Sequence, residues 1–496
     1  NFLLLRVLCW KKSFLPATNI MDLFSENHKM KGFTSLQIIL TAFFITAIIA
    51  AVLIFSGILP GFGLYRPPMP SGSANQISFW GTMPETSLSA IFDSFKNKYG
   101  ISVDYRQIPA SKNYIGEITD ALASGNGPDL WMLKEDELLA NVSKIYLIDH
   151  SIYPERSFRD QFLDEASNLL IWAEGYAGFP LAVDPLVLYW NRAMFRSESL
   201  ALPPKTWSEF VLHSEALTKI DASGNILQSG AAMGEFSNTR HAKDIMSLLI
   251  LQSKNPIVKI SKTKISDEKS RSTFTPTLDQ AGTAALQAAE SAARFFSEFS
   301  DPRKTSYSWS RIMPDSLEAF AGGKLAMYIG YGSEYNKILD QNPHLDFDIV
   351  EIPQISAGIS SDAVNSPSVT FGHINVLVVS KQSPPANKSA AIYLMTHLSL
   401  DRIAQETISK FTGQSPVLRA LLAGAPADPI RNVIYRSSIK AAGWLDPDPQ
   451  KTAEIFADIA NSALAQHKLL REAIADGNKR LDGLLDPLNN KEISTP

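Results

Sequence analysis

The sequence predicts an α/β protein, and three stretches carry that prediction. Short apolar runs alternate with helical patterns from Ile77 to Leu139, a nearly continuous apolar segment runs from Gly178 to Trp190, and a second strand-like run spans Phe371 to Val379. Strand and helix alternating at this spacing imply right-handed parallel crossovers and a sheet covered by helices. With 496 residues, 45% of them hydrophobic and 19% charged, the chain is globular and long enough to bury large cores.

In the first stretch Ile77 to Trp80 is the opening strand. Leu88, Ile91, Phe92, Phe95 and Tyr99 then recur at helical spacing, and Ile101, Val103 and Tyr105 alternate as a second strand. Ile115, Ile118 and Leu122 mark another helix, GNGPDLWML gives a turn and a third strand, and Leu138 and Leu139 begin the next helix. Ligands in such sheets bind beyond the carboxyl ends of the strands. Trp80, Asp129 and Trp131 fall at or near those ends and are candidate binding residues, although each tryptophan would serve equally as a core aromatic.

The second stretch enters its strand through Gly178 and Pro180, a tight and fixed bend, and carries Val183, Leu186, Leu188 and Trp190. A helical turn follows at Asn191 to Phe195. Pro203 and Pro204 stiffen the next linker, and Thr206-Trp-Ser-Glu209 is a capping box that opens a helix.

Read whole, GFPLAVDPLVLYWNRAMF…LPPKTWSEF resembles the crossover segment of the extracellular solute-binding proteins of ABC importers, the family that includes maltose-binding protein. Members have a Gly-Ile-Pro turn, a strand passing from one lobe to the other, Tyr-Asn-Lys, and Pro-Lys-Thr-Trp before a helix. Here Trp190-Asn191-Arg192 follows Tyr189, which keeps an aromatic at the hinge. ISFWGT resembles the family's opening strand and SGNGPDLWML its Gly-x-x-Pro-Asp strand. The stretch LTKIDASGNILQSGAAMGEFSNTRHAKDIMSLLILQ, the helix, paired glycines and Lys-x-Ala-Met strand ending at Tyr331, and FTGQSPVL (residues 411–418) are also similar.

The resemblance implies a two-lobed periplasmic-binding-protein-like fold of type II, with lobes discontinuous in sequence: 77–181 with 374–423, and 182–373 with 429–489. Ligand would bind between them and hold the closed state. Trp80, Trp131, Trp190, Trp309, Tyr328, Tyr331 and Trp444 would supply flat apolar platforms, with Asp129, Asn191 and Glu235 as polar orienters. By the family's usual ligands the solute is a sugar or oligosaccharide, with peptides, polyamines and sugar phosphates open. A permease is the expected partner and a monomer the expected state. Two readings stand beside this one: a surface sensor or adhesin built on the same binding domain, and a glycan hydrolase on a similar scaffold. Trp190→Ala and Tyr328→Ala are expected to weaken binding with little change in melting temperature, unless these rings belong to the core.

From Phe33 to Leu59 no side chain is charged, which exceeds the roughly 20 residues a helix needs to cross a bilayer. Lys11, Lys12, Lys29 and Lys31 precede the run and only Arg66 follows closely, so residues 1–32 are expected in the cytoplasm and the body outside, on a single-pass membrane anchor. A cleaved signal is the rival reading, and a misassigned start within 1–32 is a further one. Residues 60–76, ending in RPPMPSGSANQ, read as an exposed tether.

Several function classes are excluded. A net charge of −4 leaves no basic footprint for nucleic acid. The eight histidines show no H-x-x-x-H pair and the single cysteine, Cys9, precedes the apolar run, so no metal site or cofactor is expected. Asp221 to Asn225 begins like a calcium loop but has Ile226 where the tight glycine belongs. Gly322-Gly323-Lys324 lacks the remaining residues of a phosphate loop. Lys254 to Thr277 reads as a mobile polar insertion, and its two Ser-x-x-Lys spacings lack the other parts of an acylase site. A binding module is favoured over an enzyme.

Overall fold

In chain order the strands are β1 (Gln76–Gly81), β2 (Ser102–Gln107), β3 (Leu130–Lys134), β4 (Ile145–Tyr146), β5 (Phe179–Asn191), β6 (Lys219–Ile220), β7 (Ile226–Ala231), β8 (Val258–Lys264), β9 (Ser270–Pro276), β10 (Leu325–Tyr331), β11 (Phe347–Val350), β12 (Thr370–Ser380) and β13 (Ala441–Ala442). This computed structural model describes residues 40–46, 74–109, 113–266, 270–280, 284–355, 368–465 and 470–490. The expected crossovers are present: β1 pairs in parallel with both β2 and β3. The helix between β1 and β2, Ser89–Tyr99, buries Ile91, Phe92 and Phe95 and stops at Gly100, whose φ of 72° suits glycine.

One sheet runs β2-β1-β3-β12-β5-β10-β7-β6, and β5 is its centre. From Phe179 to Pro185 this strand lies antiparallel to β12, and from Leu186 to Trp190 it lies antiparallel to β10. The exchange of partners falls between Pro185 and Leu186, so one 13-residue strand joins two half-sheets. Twelve of its 13 residues are buried, those on both faces alike, which is why the sequence reads as an apolar run rather than an alternation. Gly178 is needed at the entrance because a Cβ there would lie 2.5 Å from the Leu377 carbonyl oxygen of β12. β12 is the expected second return, and it also pairs with β3 and β4.

The capping box forms as expected: Glu209 N donates to Thr206 Oγ1 at 3.2 Å, and Glu209 Oε2 accepts from Thr206 N at 3.4 Å. One expectation needs correction. The segment expected to be a mobile insertion contains the antiparallel pair β8 and β9, paired from Val258↔Pro276 to Lys264↔Ser270. Phe274 is buried there, edge-on to Trp172 at 5.5 Å, and Asn489 brackets its backbone with hydrogen bonds of 2.9 and 2.8 Å. Exposed Lys259, Lys262 and Lys264 disguise the β-branched residues of a paired strand. Towards the carboxyl terminus the chain forms two helices, Pro449–Ala465 and Leu470–Asn490.

Residues 40–46 form a short helix with Leu40, Phe43, Phe44 and Ile45 exposed, in a unit separate from Leu64–Pro496. Among the described residues no helix is long and apolar enough to cross a membrane. The rest of the apolar run expected to be an anchor lies outside the described residues.

Candidate functional site

The structure disperses most of the candidate residues. Trp131 and Trp309 are fully buried, and Trp309 Nε1 donates to Asn238 Oδ1 at 2.8 Å. Trp80 lies under the Arg106 guanidinium, 4.4 Å from the ring centre. Asp129 precedes β3 and therefore sits at its amino end, where Oδ2 accepts from Ser78 N at 3.0 Å and Asn387 Nδ2 at 2.9 Å. Trp190 is at the far end of β5 from the partner exchange and packs on Phe195 at 5.0 Å. Asn191 caps the helix Arg192–Ser197 by accepting from Met194 N at 3.1 Å. Glu235 pairs with Arg311 at 3.3 Å. Tyr328 is buried, with its phenol 2.7 Å from Glu334 Oε2.

Tyr331 and Trp444 are the candidates that meet around a common feature, a buried polar cluster where the half-sheets join. β3 ends at Lys134 and Glu135–Glu137 forms a single turn at its carboxyl end. Glu135 is fully buried: Oε1 lies 2.6 Å from His373 Nδ1, and Oε2 accepts from Ile374 N at 2.7 Å. His373 comes from β12 and stands opposite Asp184 of β5 in the strand register. Its Nε2 is 3.7 Å from Asp244 Oδ2, in the first turn of the helix Ala242–Gln252, and Tyr331 donates to that same oxygen at 2.7 Å. Lys243 reaches Asp446 at 2.8 Å and Asp136 at 3.8 Å, with its ammonium 5.9 Å from the Trp444 ring centre.

A second group of polar contacts borders the partner exchange in β5. Asp184 accepts from Ser333 N at 3.1 Å and Ser333 Oγ at 2.5 Å, and Gln414 Nε2 approaches at 3.5 Å. Gln414 Oε1 in turn accepts from Asn375 of β12 at 2.8 Å. His241 Nε2 is 3.2 Å from Glu334 Oε1.

Burial and charge set the protonation of these groups. Burial disfavours the His373 cation, but the Glu135 and Asp136 carboxylates outweigh it and raise His373 well above the ordinary histidine value. Burial also works against the Asp244 anion, yet hydrogen bonding and charge from His373, then Lys243, hold it well below the usual carboxylate range. Asp446 is pushed up to about 6 by burial, partly offset by Lys243. Glu165, with neither carboxylate oxygen hydrogen-bonded, is raised well above its ordinary value by burial and then by the Glu135 charge.

Sequence reasoning missed Glu135, Asp136, Lys243, Asp244, His373 and Asp446. Two signals were available: the charged run Lys134-Glu-Asp-Glu137 at the carboxyl end of a buried strand, and one histidine inside the apolar run of β12. Among the described residues, donor atoms of Glu135, Asp136 and His373 lie within 4.8 Å of one another. Two surface hollows lie elsewhere, of about 410 Å³ beside Trp207, Leu249 and Phe295 and about 660 Å³ beside Pro203, Glu351 and Val433. Neither is lined by a candidate residue.

Two half-sheets on a shared strand, with polar groups gathered where they join, define a two-lobed α/β binding-protein fold. Residues 90–432 match the bacterial extracellular solute-binding protein family, and the chain belongs to that family. Solved structures share the fold at low identity. A cyclo/maltodextrin-binding protein complexed with maltotetraose has a TM-score of 0.63 at 16% identity, over 83% of this chain and 98% of that one. The sugar-binding protein MalE from Xanthomonas citri has a TM-score of 0.60 at 16% identity, over 83% and 98%. UgpB from Mycobacterium tuberculosis, in complex with glycerophosphocholine, has 0.60 at 17% identity, over 84% and 99%. No curated protein matches the chain.

Proposed function

We propose that this chain is the membrane-tethered, extracytoplasmic solute-binding component of an ABC importer, and that it captures a sugar or short oligosaccharide between its lobes for delivery to a permease. The apolar run 33–59 would be the tether. The lobes are taken as 77–181 with 374–423 and 182–373 with 429–489. The observation that carries the reading is the partner exchange at Pro185 and Leu186 of β5. A small rotation there moves Asp136 relative to Lys243 and Asp244, which is how hinge closure acts on a ligand between lobes.

A saccharide suits the groups around that junction. Tyr331, Trp444, Asp244 and Asp446 are buried in this structure, and an opening of the lobes would expose their ring faces and carboxylates, with that of Asp136, to sugar hydroxyls. Similar structures complexed with maltotetraose and with tagatose support this ligand class. Because a similar structure holds glycerophosphocholine, a screen must extend beyond sugars.

The test is a thermal-shift screen of the purified chain against mono- and oligosaccharides, amino acids, peptides, polyamines and glycerophosphodiesters. A true ligand at 100 times its Kd adds about 2.7 kcal/mol of stability. Saccharide hits that are lost in Asp244→Asn support the reading. Hits confined to another class overturn the ligand, and silence across the panel in folded protein overturns solute capture.

A further inference from the structure

We propose that the strand pair β8 and β9 is a clasp that holds one lobe against the other, away from the strands that join them, and so sets how readily the lobes part. The proposal rests on the two-lobed reading above, since the pair falls in the stretch 182–373 and what it grips falls in 77–181.

The pair is built rigidly onto its own lobe. At its base Asn255 is buried: Oδ1 accepts from Ile257 N at 2.9 Å and Thr277 Oγ1 at 2.8 Å, and Nδ2 donates to the carbonyls of Thr277 at 3.2 Å and Ala285 at 3.0 Å. Ile257 is held at a φ of 62°, a left-handed backbone that a β-branched residue adopts only where its surroundings impose it. Beyond β9 the helix Leu470–Asn490 fixes the outer edge, with Asn489 on the Phe274 backbone and Asn478 Oδ1 accepting from Leu278 N at 2.9 Å.

The other face reaches across. Ile260 stands opposite Phe274 and Lys262 opposite Ser272, so these four side chains share one face of the pair. That face meets the loop after the helix Asp164–Leu170. Trp172 takes the edge of Phe274 at 5.5 Å, Ala173 N donates to Ser272 Oγ at 2.8 Å, and Ser272 N donates to Glu174 Oε1 at 2.9 Å. Lys262 approaches Glu155 at 3.9 Å, an exposed pair that adds little. The loop is itself fixed. Trp172 Nε1 donates to the Leu169 carbonyl at 2.8 Å, Trp172 N donates to the Gly175 carbonyl at 3.0 Å, and a Cβ on Gly175 would lie 2.6 Å from the Ile148 carbonyl oxygen. Two rigid parts therefore meet through two hydrogen bonds and one buried ring contact, and neither part can follow the other without loosening its own supports.

The link stands apart from the β5 and β12 crossings. Glu165, which packs at Gly443, and Trp172 lie at opposite ends of the helix Asp164–Leu170, separated by about 10 Å of helix. Asp244, Tyr331 and Trp444 are buried at the junction in this conformation, so the clasp is made while the lobes lie together. A contact made in one conformation and lost in the other biases the equilibrium towards the first. Breaking the clasp therefore lowers the fraction with lobes together, and the apparent affinity for any solute that needs that state falls by the same factor.

The experiment is hydrogen exchange read by mass spectrometry on the full chain without solute. It compares wild type, Ser272→Ala, which takes the acceptor from Ala173 N, and Glu174→Ala, which takes the acceptor from Ser272 N. A third protein carries Ala173→Cys with Ser272→Cys in a Cys9→Ser background, measured oxidised and reduced. Junction peptides of β5 and β12 should exchange about threefold faster or more in both single variants, and more slowly in the oxidised pair than in the reduced one, while β1 is unchanged. Faster exchange confined to β8 and β9, or an unchanged junction, overturns the clasp. If a single variant also loosens β1, and so is less folded, the oxidised and reduced forms decide. Junction amides as slow as those of β1 in every form overturn lobe opening itself, and the clasp with it.

Discussion

Tyr331 donates its phenol to Asp244 Oδ2 at 2.7 Å, tying the end of β10 to the first turn of the helix Ala242–Gln252. The contact is buried, and Asp244 is held ionised by His373 and Lys243 against the cost of its burial. Replacing Tyr331 by Phe keeps the ring against His373, whose centre is 5.2 Å away, and removes only the donor. A hydrogen bond to a buried charge contributes about 1.5–3 kcal/mol, so Tyr331→Phe should cost about 2 kcal/mol in urea unfolding. A loss under about 0.5 kcal/mol, the scale of an ordinary surface change, would mean that water replaces the phenol without penalty.

Tyr328 is different, though it lies only one helical turn's worth of sequence earlier on the same strand. It is 1% exposed, with its ring centre 5.6 Å from Tyr189 and 5.9 Å from Phe320. The sequence-based expectation that Tyr328→Ala would be tolerated gives way to its opposite. Truncating a large buried ring costs about 3–5 kcal/mol, and here it also leaves Glu334 without a donor at 2.7 Å. The melting temperature should fall by many degrees. A melting curve unchanged within error would place the ring in a solvent-accessible cleft after all.

That pair shows what was legible and what was not. Strand alternation put Tyr328 on one face of β10 and the aliphatic residues on the other, but alternation cannot tell a cleft from a second buried layer. β5, β12 and the capped helix at Trp207 were readable because apolar runs, a glycine at a close approach and a capping box are local signals. The polar cluster was not, because Glu135, Lys243, Asp244, His373 and Asp446 converge from separate segments and carry no fixed spacing. β8 and β9 were hidden for another reason. A strand pair with three exposed lysines has the composition of a loop, and its pairing, with the packing of Phe274 on Trp172, is what distinguishes it.

Glu165 provides the pH dependence. It is 2% exposed, both its oxygens lack hydrogen-bond partners, and Gly443 leaves it room, since a Cβ there would lie 2.6 Å from Glu165 Oε1. Burial, then the Glu135 charge, raises its pKa well above 4.5. Between pH 4.5 and that raised value the folded chain holds a proton that the unfolded chain has released. Stability therefore falls as pH rises through this window, the reverse of a salt-bridged carboxylate. Asp446, raised by burial from 3.8 to about 6, acts in the same direction below pH 6. The protein should be more stable to urea at pH 5 than at pH 8. Glu165→Gln resembles the protonated acid and cannot ionise. It should match the wild type at pH 5 and be more stable than it at pH 8. Urea unfolding of both proteins at the two pH values checks this, and an unchanged pH slope in the variant would show that Glu165 reaches water or a partner through a path that opens in solution.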